Sequence, residues 1–549
     1  MKLPSILMIP PDSFTSFLPM SPLKVNPFSK LLPLLIVTTF GSVASAQTPS
    51  PTFYIREYRV TGSTKLESLA IQEAVYPFLG PGRGVEDVDG ARAALEKAFR
   101  DRGYQTVSVV IPQQDPKYGV IRLEVVEGKV GRLRVNGAKH FLPSRIKAEA
   151  PELAEGNVPH LPTVGKEMVA LNRVADRKVT PQLRAGAVPG TVDIDLNVED
   201  KLPLHGSLEL NNRYSANTTE LRLNGALSYG NLFQLGHTLG GNFQLAPERT
   251  EDAKSFSGYY LARVNEGVSL MAQGSKQDSD VSTLTGSAVV GRGETYGIRA
   301  LFDLPVRDRF YQTFSLGLDW KTTSEEVIAL GDGAAISVTP IEYYPLSFTH
   351  GATWMHENGF TELNTSLVMN LRGLGSDRAD HDYKRSSSTG NFVYLRSDLS
   401  HTQDFKGGAQ LFGKLQGQLS SQALLNGEQL SAGGLGTVRG YLESTALGDN
   451  GLLGTLEWRT PSFLGKPAES GLRSDELRFY AFTDGGIVGL YDALPGQDDS
   501  SVFASAGLGT KARYKDHYNA SLDVAVPFIE QVDTQPGEVR VTFRGWADF

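Results

Sequence analysis

The sequence predicts a mainly β protein, a roughly 16-stranded antiparallel transmembrane β-barrel preceded by two small α/β domains of β-α-α-β-β order. Three observations lead to this prediction. The N-terminus has the features of an export signal, residues 53–200 alternate strand spacing with helical spacing, and residues 204–549 repeat apolar side chains at every second position. No later segment reaches the length of a membrane-spanning helix, so strands have to cross any membrane.

Residues 1–46 have the composition of a signal peptide. Two lysines precede an apolar stretch at 31–40, and Ala44-Ser45-Ala46 supplies the small residues of a cleavage site. The apolar stretch is about half as long as a membrane-spanning helix, which makes a retained anchor the weaker alternative. We therefore expect cleavage after Ala46, with translation starting at Met1 or at Met20.

Residues 53–127 form the first predicted α/β domain. Its apolar residues change from strand spacing to helical spacing and back, with a strand at 53–60, helices at 66–75 and 88–99, and strands at 106–111 and 120–126. Residues 128–200 form a second, weaker copy, with a strand at 130–135, a helix over 164–175 and a closing strand at 192–198. Two generic small α/β domains are the alternative to a repeat.

Residues 204–549 form the predicted barrel. In Tyr518–Val526, for example, apolar residues at every second position alternate with Asn519, Ser521 and Asp523. About 16 such segments of about 10–13 residues fit tilted strands that cross a bilayer. Long and short connectors alternate, apart from a long one at 462–475, which is typical of barrels with short periplasmic turns and long outer loops. A secreted β-sandwich is the alternative, but its strands are usually shorter.

Composition and motifs argue against several function classes. The chain has 0 cysteines, which excludes disulfides, thiolate metal sites and cysteine nucleophiles. Its net charge of -8 provides no basic surface for nucleic acid. Segment Gly408–Leu415 is one residue short of a phosphate-binding loop, because Leu415 replaces the Ser or Thr that would hold magnesium. We expect no enzyme, cofactor, metal site or nucleic-acid partner; the alternative is a catalytic site assembled from scattered strands.

The connector at 420–450 is the most unusual part of the predicted barrel. It is too long for an ordinary hairpin loop, yet it is rich in Leu, Ala and Gly where a surface loop would be polar. We therefore expect it to fold into the barrel, carrying the tetrapeptide Val438-Arg439-Gly440-Tyr441 with it. A buried guanidinium is costly without a hydrogen-bonded carboxylate, so Arg439 needs a partner.

Asp484 is the candidate partner of that arginine. Leu477, Phe479 and Ala481 alternate on one face of their strand, which directs Phe482 and Asp484 into the lumen. An Arg439–Asp484 fork would then hold the loop to the barrel wall at the Phe482-x-Asp484-x-Gly486 motif. The alternative is a solvated loop arginine and a turn-capping aspartate.

These residues resemble two known groups of proteins. Gly62-Ser63-Thr64, Gly103-Tyr104 and Val126-Glu127-Gly128 resemble a POTRA (polypeptide-transport-associated) domain, and residues 128–200 resemble a more divergent one. The two motifs at 438–441 and 482–486 resemble the superfamily of two-partner-secretion transporters (TpsB; the ShlB/FhaC/HecB haemolysin secretion/activation family) and outer-membrane assembly insertases. In that superfamily the loop arginine and the strand aspartate are partners. Asn231-Leu232-Phe233, followed by Leu235-Gly236-His237, is similar to its early-barrel turn.

The resemblance implies a function and partners. Two POTRA copies with this barrel length resemble a transporter in the outer membrane of a Gram-negative bacterium, with its POTRA domains in the periplasm. It implies capture of an unfolded exoprotein, a TpsA-like adhesin or hemolysin, by strand addition, and export through the barrel. Outer-membrane lipid and the barrel assembly machinery are the other implied partners. The alternatives are an insertase for other barrels and, less favoured, a passive porin, which would not need POTRA domains.

One departure from the family concerns closure of the pore. Many members have an N-terminal helix that plugs the barrel, but only Gln47–Thr52 lie between the predicted cleavage site and the first strand. The expectation is therefore that the long loop alone closes this barrel, or that its gating differs.

Overall fold

A computed structural model describes residues 52–115, 118–265, 267–279, 292–324, 326–328, 335–338, 340–371, 373–465 and 475–549. The described residues up to Pro203 form one compact unit, and those from Leu204 onwards form another. Within these residues no helix is long and apolar enough to span a membrane. The predicted signal peptide at 1–46 lies outside the described residues.

The first α/β domain has the predicted order with one addition. Its elements are β1 (Phe53–Ile55), β2 (Glu57–Thr61), α1 (Ser68–Val75), β3 (Gly80–Arg83), α2 (Val85–Asp101), β4 (Val107–Val110) and β5 (Val120–Glu127). The sheet order is β2-β5-β4, with β2 parallel and β4 antiparallel to β5. The strand predicted at 53–60 is interrupted at Arg56, and its first part, β1, pairs with β3 instead. Leu95, Phe99 and Leu123 lie in the core.

The second α/β domain repeats this arrangement. Its elements are β6 (Lys129–Asn136), α3 (Pro143–Ala148), α4 (Leu161–Leu171), β7 (Arg177–Ala185) and β8 (Thr191–Asp200). The sheet order is β6-β8-β7, again with a parallel and an antiparallel neighbour for the last strand. The helix predicted over 164–175 ends at Leu171, because the chain turns there to begin β7, a strand that the sequence pattern missed. Pro181 lies on this edge strand, where a missing N–H is tolerated.

In both domains, a carboxylate at the end of the last strand accepts backbone hydrogen bonds from an earlier loop. Glu127, at the end of β5, accepts hydrogen bonds from the backbone N–H groups of Thr64 (2.6 Å) and Lys65 (2.8 Å). Asp200, at the end of β8, accepts them from His140 (2.7 Å) and Phe141 (3.1 Å). Burial alone would raise the pKa of each carboxyl, but these bonds hold the pKa of Glu127 and of Asp200 below its ordinary value. The last strand of each domain is thereby tied to the loop that follows its parallel neighbour, β2 or β6.

The described residues from Leu204 onwards form a closed antiparallel barrel of 16 strands. Its strands are β9 (Leu204–Asn211), β10 (Arg222–Leu232), β11 (His237–Leu245), β12 (Ala253–Arg263), β13 (Val268–Ser279), β14 (Arg292–Asp303), β15 (Phe310–Ser324), the joint strand of β18 (Ile341–Tyr343) and β19 (Pro345–His356), β20 (Gly359–Asn370), β21 (Val393–Asp404), β22 (Gln410–Ser420), β25 (Asn450–Arg459), β26 (Glu476–Gly489), β27 (Ser500–Tyr514), β28 (Tyr518–Pro527) and β29 (Arg540–Asp548). Outside the wall lie β16 (Glu326–Ile328), β17 (Ala335–Val338), α5 (Arg378–Lys384), β23 (Leu430–Ala432) and β24 (Ala446–Gly448).

Alternation along the strands separates two surfaces. Outward positions carry exposed apolar side chains, such as Leu227, Leu415 and Phe479, whereas polar and charged side chains fill the lumen. The barrel closes where β9 pairs with β29. Short turns lie at the end where β9 begins, and long loops lie at the other end. The exception predicted at 462–475 falls between β25 and β26. The predicted early turn at 231–237 joins β10 to β11. The rejected phosphate-binding segment at 408–415 enters strand β22.

Candidate functional site

The segment between β22 and β25, residues 421–449, is called the lumen loop here because its side chains meet inward-facing residues of many strands. Leu424, Val438 and Tyr441 are almost completely buried. Val438 and Tyr441 pack in an apolar cluster with Leu453 and Phe503 of the wall. The apolar residues, which would be unusual in a surface loop, are thus buried against the inside of the barrel.

Arg439 and Asp484 form a two-point fork. The Arg439 Nε donates to Asp484 Oδ2 at 2.7 Å, and Nη2 donates to Oδ1 at 2.8 Å. The backbone N–H of Arg439 also donates to Oδ2, at 3.0 Å. Both side chains are buried, so these charge-assisted bonds are shielded from water. The structure therefore brings together the two residues that the sequence paired.

Two further carboxylates reach the same guanidinium. Arg439 Nη1 donates to Glu457 Oε1 at 2.7 Å and lies 3.4 Å from Asp523 Oδ1. Tyr480 donates to the same Asp523 oxygen at 2.8 Å. The sequence analysis named Asp484 as a candidate partner, and the structure adds Glu457 and Asp523. Glu457, Asp484 and Asp523 come from β25, β26 and β28, so one loop arginine joins three strands of the wall.

The aromatic ring of Phe482 packs against the guanidinium of Arg439. Its ring centroid lies 3.4 Å from the Arg439 Cζ, a stacked cation–π contact. The ring has room because the neighbouring strand carries Gly507, where an added Cβ would lie 2.4 Å from Phe482 Cζ. Gly486, the last residue of the predicted wall motif, packs closely on the other neighbouring strand, with Leu452 O 2.3 Å from where its Cβ would be.

The rest of the tetrapeptide fixes the direction of the loop. Gly440 has φ = 94°, a left-handed conformation that other residues adopt only with strain. This turn directs the Tyr441 hydroxyl to the backbone carbonyls of Ala504 (3.0 Å) and Ile529 (2.9 Å). The Tyr441 ring also makes an edge contact with Phe503, at 4.9 Å between centroids. Side chains on either side of the turn thus contact different strands.

A second buried ion pair holds the start of the loop. Glu428 is fully buried and forms an ion pair with Lys321 of β15. It also accepts hydrogen bonds from the hydroxyls of Tyr343 (2.9 Å) and Tyr394 (2.7 Å). At the end of the loop, Asp449 plays a similar role and accepts bonds from the backbone and from side chains around it.

Glu443 joins the loop to the first barrel strand. It accepts hydrogen bonds from Arg213 Nε at 2.7 Å and Nη2 at 3.2 Å. Its backbone N–H donates to Tyr214 O at 3.1 Å, and its carboxylate also accepts the N–H of Leu435. Arg213 and Tyr214 directly follow β9, which closes the barrel against β29. The loop is therefore held to opposite parts of the wall.

Sequence reasoning missed most of these anchors. Glu428, Glu443 and Asp449 stand out as acidic residues in an apolar loop, and alternation places Glu457 and Asp523 on the inward face. Those two signals would have identified them as buried and charged, although not their partners. Among the described residues, no group of three or more His, Cys, Asp or Glu could hold a metal ion.

A 16-stranded barrel that carries N-terminal α/β domains and a buried, ionically anchored lumen loop defines a class, the POTRA-bearing outer-membrane barrels that handle polypeptide chains. The family model described as haemolysin secretion/activation protein ShlB/FhaC/HecB matches residues 190–512, and the model of the ShlB-type POTRA domain matches residues 53–128. The first match spans more than half of the chain, so this protein belongs to the ShlB/FhaC/HecB family.

Individual relatives agree with this assignment. The outer membrane transporter CdiB of Dickeya dadantii (strain 3937) is 24% identical over 515 residues, covering 90% of this chain and 86% of the relative. CdiB of Escherichia coli is 26% identical over 528 residues, covering 91% and 83%. Among solved structures, CdiB from Escherichia coli superposes with a TM-score of 0.60 at 21% identity, covering 93% of each chain, which supports the fold.

The predicted location and function class are confirmed. The protein is an outer-membrane transporter of two-partner secretion, and its POTRA region lies in the periplasm. Transporters of this kind work with a secreted TpsA-type exoprotein.

Proposed function

We propose that this transporter captures one unfolded exoprotein through two POTRA domains, at 53–127 and 128–200, and passes it through the barrel at 204–549. The cargo is a TpsA-like adhesin or hemolysin that folds outside the cell. The transporter performs no catalytic step, lies in direct contact with outer-membrane lipid and is inserted by the barrel assembly machinery. Folding of the cargo at the cell surface supplies the direction of transport.

The observation that carries the proposal is the ionic anchoring of the lumen loop. Arg439 binds Asp484 of β26, Glu428 binds Lys321 of β15, and Glu443 binds Arg213 just after β9, and all three loop residues lie inside the barrel. A polypeptide crossing the lumen has to share that space with the loop. Buried ion pairs are directional, so they hold the loop in one place. The barrel wall does not depend on them, because its own backbone hydrogen bonds stabilise it. The loop is thus the element that cargo meets.

A repeated arrangement supports the assignment of two POTRA domains. Both domains place a parallel and an antiparallel strand on either side of their last strand. Both also end that strand with a carboxylate, Glu127 or Asp200, that accepts backbone N–H groups from the loop after the parallel strand, β2 or β6. Two unrelated domains would have no reason to share both features.

Deletion of residues 53–127 from the full chain tests the proposal. All the buried residues of their apolar core except Val158 belong to this domain, so we expect the barrel still to shift in a heat-modifiability gel while export is abolished. The cargo is first identified by searching the neighbouring genes for one that encodes a large secreted protein, and its export is then measured. Export at the normal rate would assign capture to the second domain or to the barrel. Loss of other outer-membrane proteins would instead indicate an insertase.

A further inference from the structure

Three polar side chains form a hydrogen-bonded relay on the outer surface of the barrel. His356 Nε2 lies 2.9 Å from Thr361 Oγ1, and the same hydroxyl lies 2.8 Å from His401 Nδ1. The two imidazole rings are 5.8 Å apart in an edge arrangement. This His-Thr-His relay (His356, Thr361 and His401) is not part of the lumen site.

Strand register shows that the relay faces lipid. Thr361 and His401 are register partners, and the same outward faces of β20 and β21 carry exposed Leu367, Leu395 and Leu399. The alternate positions on these strands, which face the lumen, carry polar residues such as Glu362 and Asp398. The relay and the neighbouring Thr365–Ser397 hydroxyl pair (2.8 Å) are each hydrogen-bonded, because unpaired polar groups are costly on a surface that faces hydrocarbon.

The relay lies at the level of the lipid head groups. Thr361 is two residues from the start of β20, and His356 is the last residue of β19, so both lie within about 10 Å of the strand ends. Thr361 is also the register partner of Trp354, which stacks on Phe310 at 4.8 Å. Aromatic girdles of this kind mark the membrane interface. The relay therefore lies at the end of the barrel where β9 begins.

Proton counting defines what the relay offers to a ligand. A hydroxyl has one proton, so Thr361 donates to one imidazole and accepts an N–H from the other. Each neutral imidazole carries one N–H. Two nitrogens remain, His356 Nδ1 and His401 Nε2. Whichever imidazole receives the Thr361 proton, one of these two nitrogens carries an N–H and the other a lone pair. Among the described residues neither nitrogen has a hydrogen-bond partner.

There is space for a ligand beside the relay. The register partner of His401 on the next strand is Gly413, and a Cβ placed there would meet nothing within 4 Å. The following partner in this row is the exposed Leu456. This row therefore contains an aromatic ring (Trp354), then a hydrogen-bonded pair (Thr361 and His401), and then an open gap at Gly413.

We propose that the His-Thr-His relay binds the head group of phosphatidylethanolamine in the periplasmic leaflet. Its phosphate accepts the outward N–H, and its primary ammonium donates to the outward lone pair, close to the Trp354 ring. Phosphatidylcholine has no N–H to donate to the lone pair, whereas phosphatidylglycerol can donate a hydroxyl but has no cation for the Trp354 ring. The relay and the ring together therefore select a head group with ammonium protons.

Native mass spectrometry of the full chain, released from nanodiscs with equal fractions of the three lipids, tests this site. We expect one phosphatidylethanolamine to be retained about fivefold more than either other lipid. Thr361→Val breaks the relay and Gly413→Leu fills the gap, so each should abolish the preference, whereas Thr361→Ser should keep it. Heat modifiability in a gel checks that each variant is folded.

His350 provides the matched control. It lies on the same lipid-facing side of β19, stacked on Phe314 at 4.6 Å, but its ring contacts Gln312 and not the relay. We expect His350→Phe to retain the lipid preference and His401→Phe to lose it. Equal loss in both variants, equal retention of all three lipids, or displacement of the lipid by inorganic phosphate at low concentration would each overturn the proposal.

Discussion

Arg439 and Glu457 are joined by a 2.7 Å hydrogen bond, which makes the loop arginine a shared partner of Glu457, Asp484 and Asp523. Removal of the arginine leaves three buried carboxylates close together. Removal of Asp484 leaves the arginine with two partners. The cluster is therefore asymmetric, and its members are not expected to be equivalent in function.

Arg439→Ala should reduce export more than Asp484→Ala. Loss of one partner from a buried pair costs on the order of 3 to 5 kcal/mol, and here the residual carboxylates also repel one another. The Arg439→Ala/Asp484→Ala double variant leaves one carboxylate fewer, so its loss should be smaller than that of Arg439→Ala and non-additive. The measurement is cargo released per folded barrel.

Arg459 serves as the control for this series, because it binds Glu457 at 2.7 Å from its own position on β25 and not from the loop. Arg459→Gln removes a positive charge from the same cluster without detaching the loop, so export should stay close to normal. Equal defects in all three single variants would show that net charge, and not anchoring of the loop, matters.

Glu443→Gln should loosen the contact between the lumen loop and Arg213, which lies two residues after β9. The amide keeps the size of the carboxylate but loses the ion pair with Arg213, whose charge-assisted hydrogen bonds contribute about 1.5 to 3 kcal/mol. We expect more frequent channel openings of the purified protein in planar bilayers. The exchanged pair Arg213→Glu/Glu443→Arg should return the opening frequency towards normal; no recovery would contradict a direct pairing.

Lys321→Met should destabilise the start of the loop, whereas Lys321→Met/Glu428→Gln should be milder. The single variant leaves the fully buried Glu428 charged and without its cation, while the double variant removes both charges. The measurement is the temperature at which the folded band is lost in a heat-modifiability gel. A double variant that is less stable than the single one would exclude this explanation.

Acidic pH should weaken the first POTRA domain through Glu127. Its folded pKa is below the ordinary value of 4.5, so its stabilising effect is complete well above pH 4.5 and is lost as the pH falls through the lower folded value. Hydrogen exchange at Thr64 and Lys65, corrected for intrinsic rates, should therefore increase below about pH 4.5.

The second domain provides the comparison for this pH effect. Glu127→Gln should abolish the pH dependence at Thr64 and Lys65, because the amide does not titrate. Exchange at His140 and Phe141, which bind Asp200, should still respond to pH in the same variant. A pH response that persists at Thr64 in Glu127→Gln would mean that another group is responsible.

Local pattern was sufficient for much of the fold. Period-two alternation identified the barrel strands and directed Asp484 inward, since successive side chains of a strand point to opposite faces. It did not identify the interruption at Arg56 or the end of α4 at Leu171. Those boundaries depend on pairing of β1 with β3 and of β7 with β8, contacts that no local window of sequence contains.

Periodicity, the cost of burying a charge and two distinctive peptides were enough to predict the two kinds of domain, the barrel, the inward loop motif and the pairing of Arg439 with Asp484. The folded chain was needed to show that Glu457 and Asp523 share the arginine, that Arg213 meets Glu443, and that His356 and His401 meet at Thr361. These residues come from distant parts of the chain, and their contact is set by strand register and barrel closure. Register between strands is a property of the whole sheet, so no single segment encodes it.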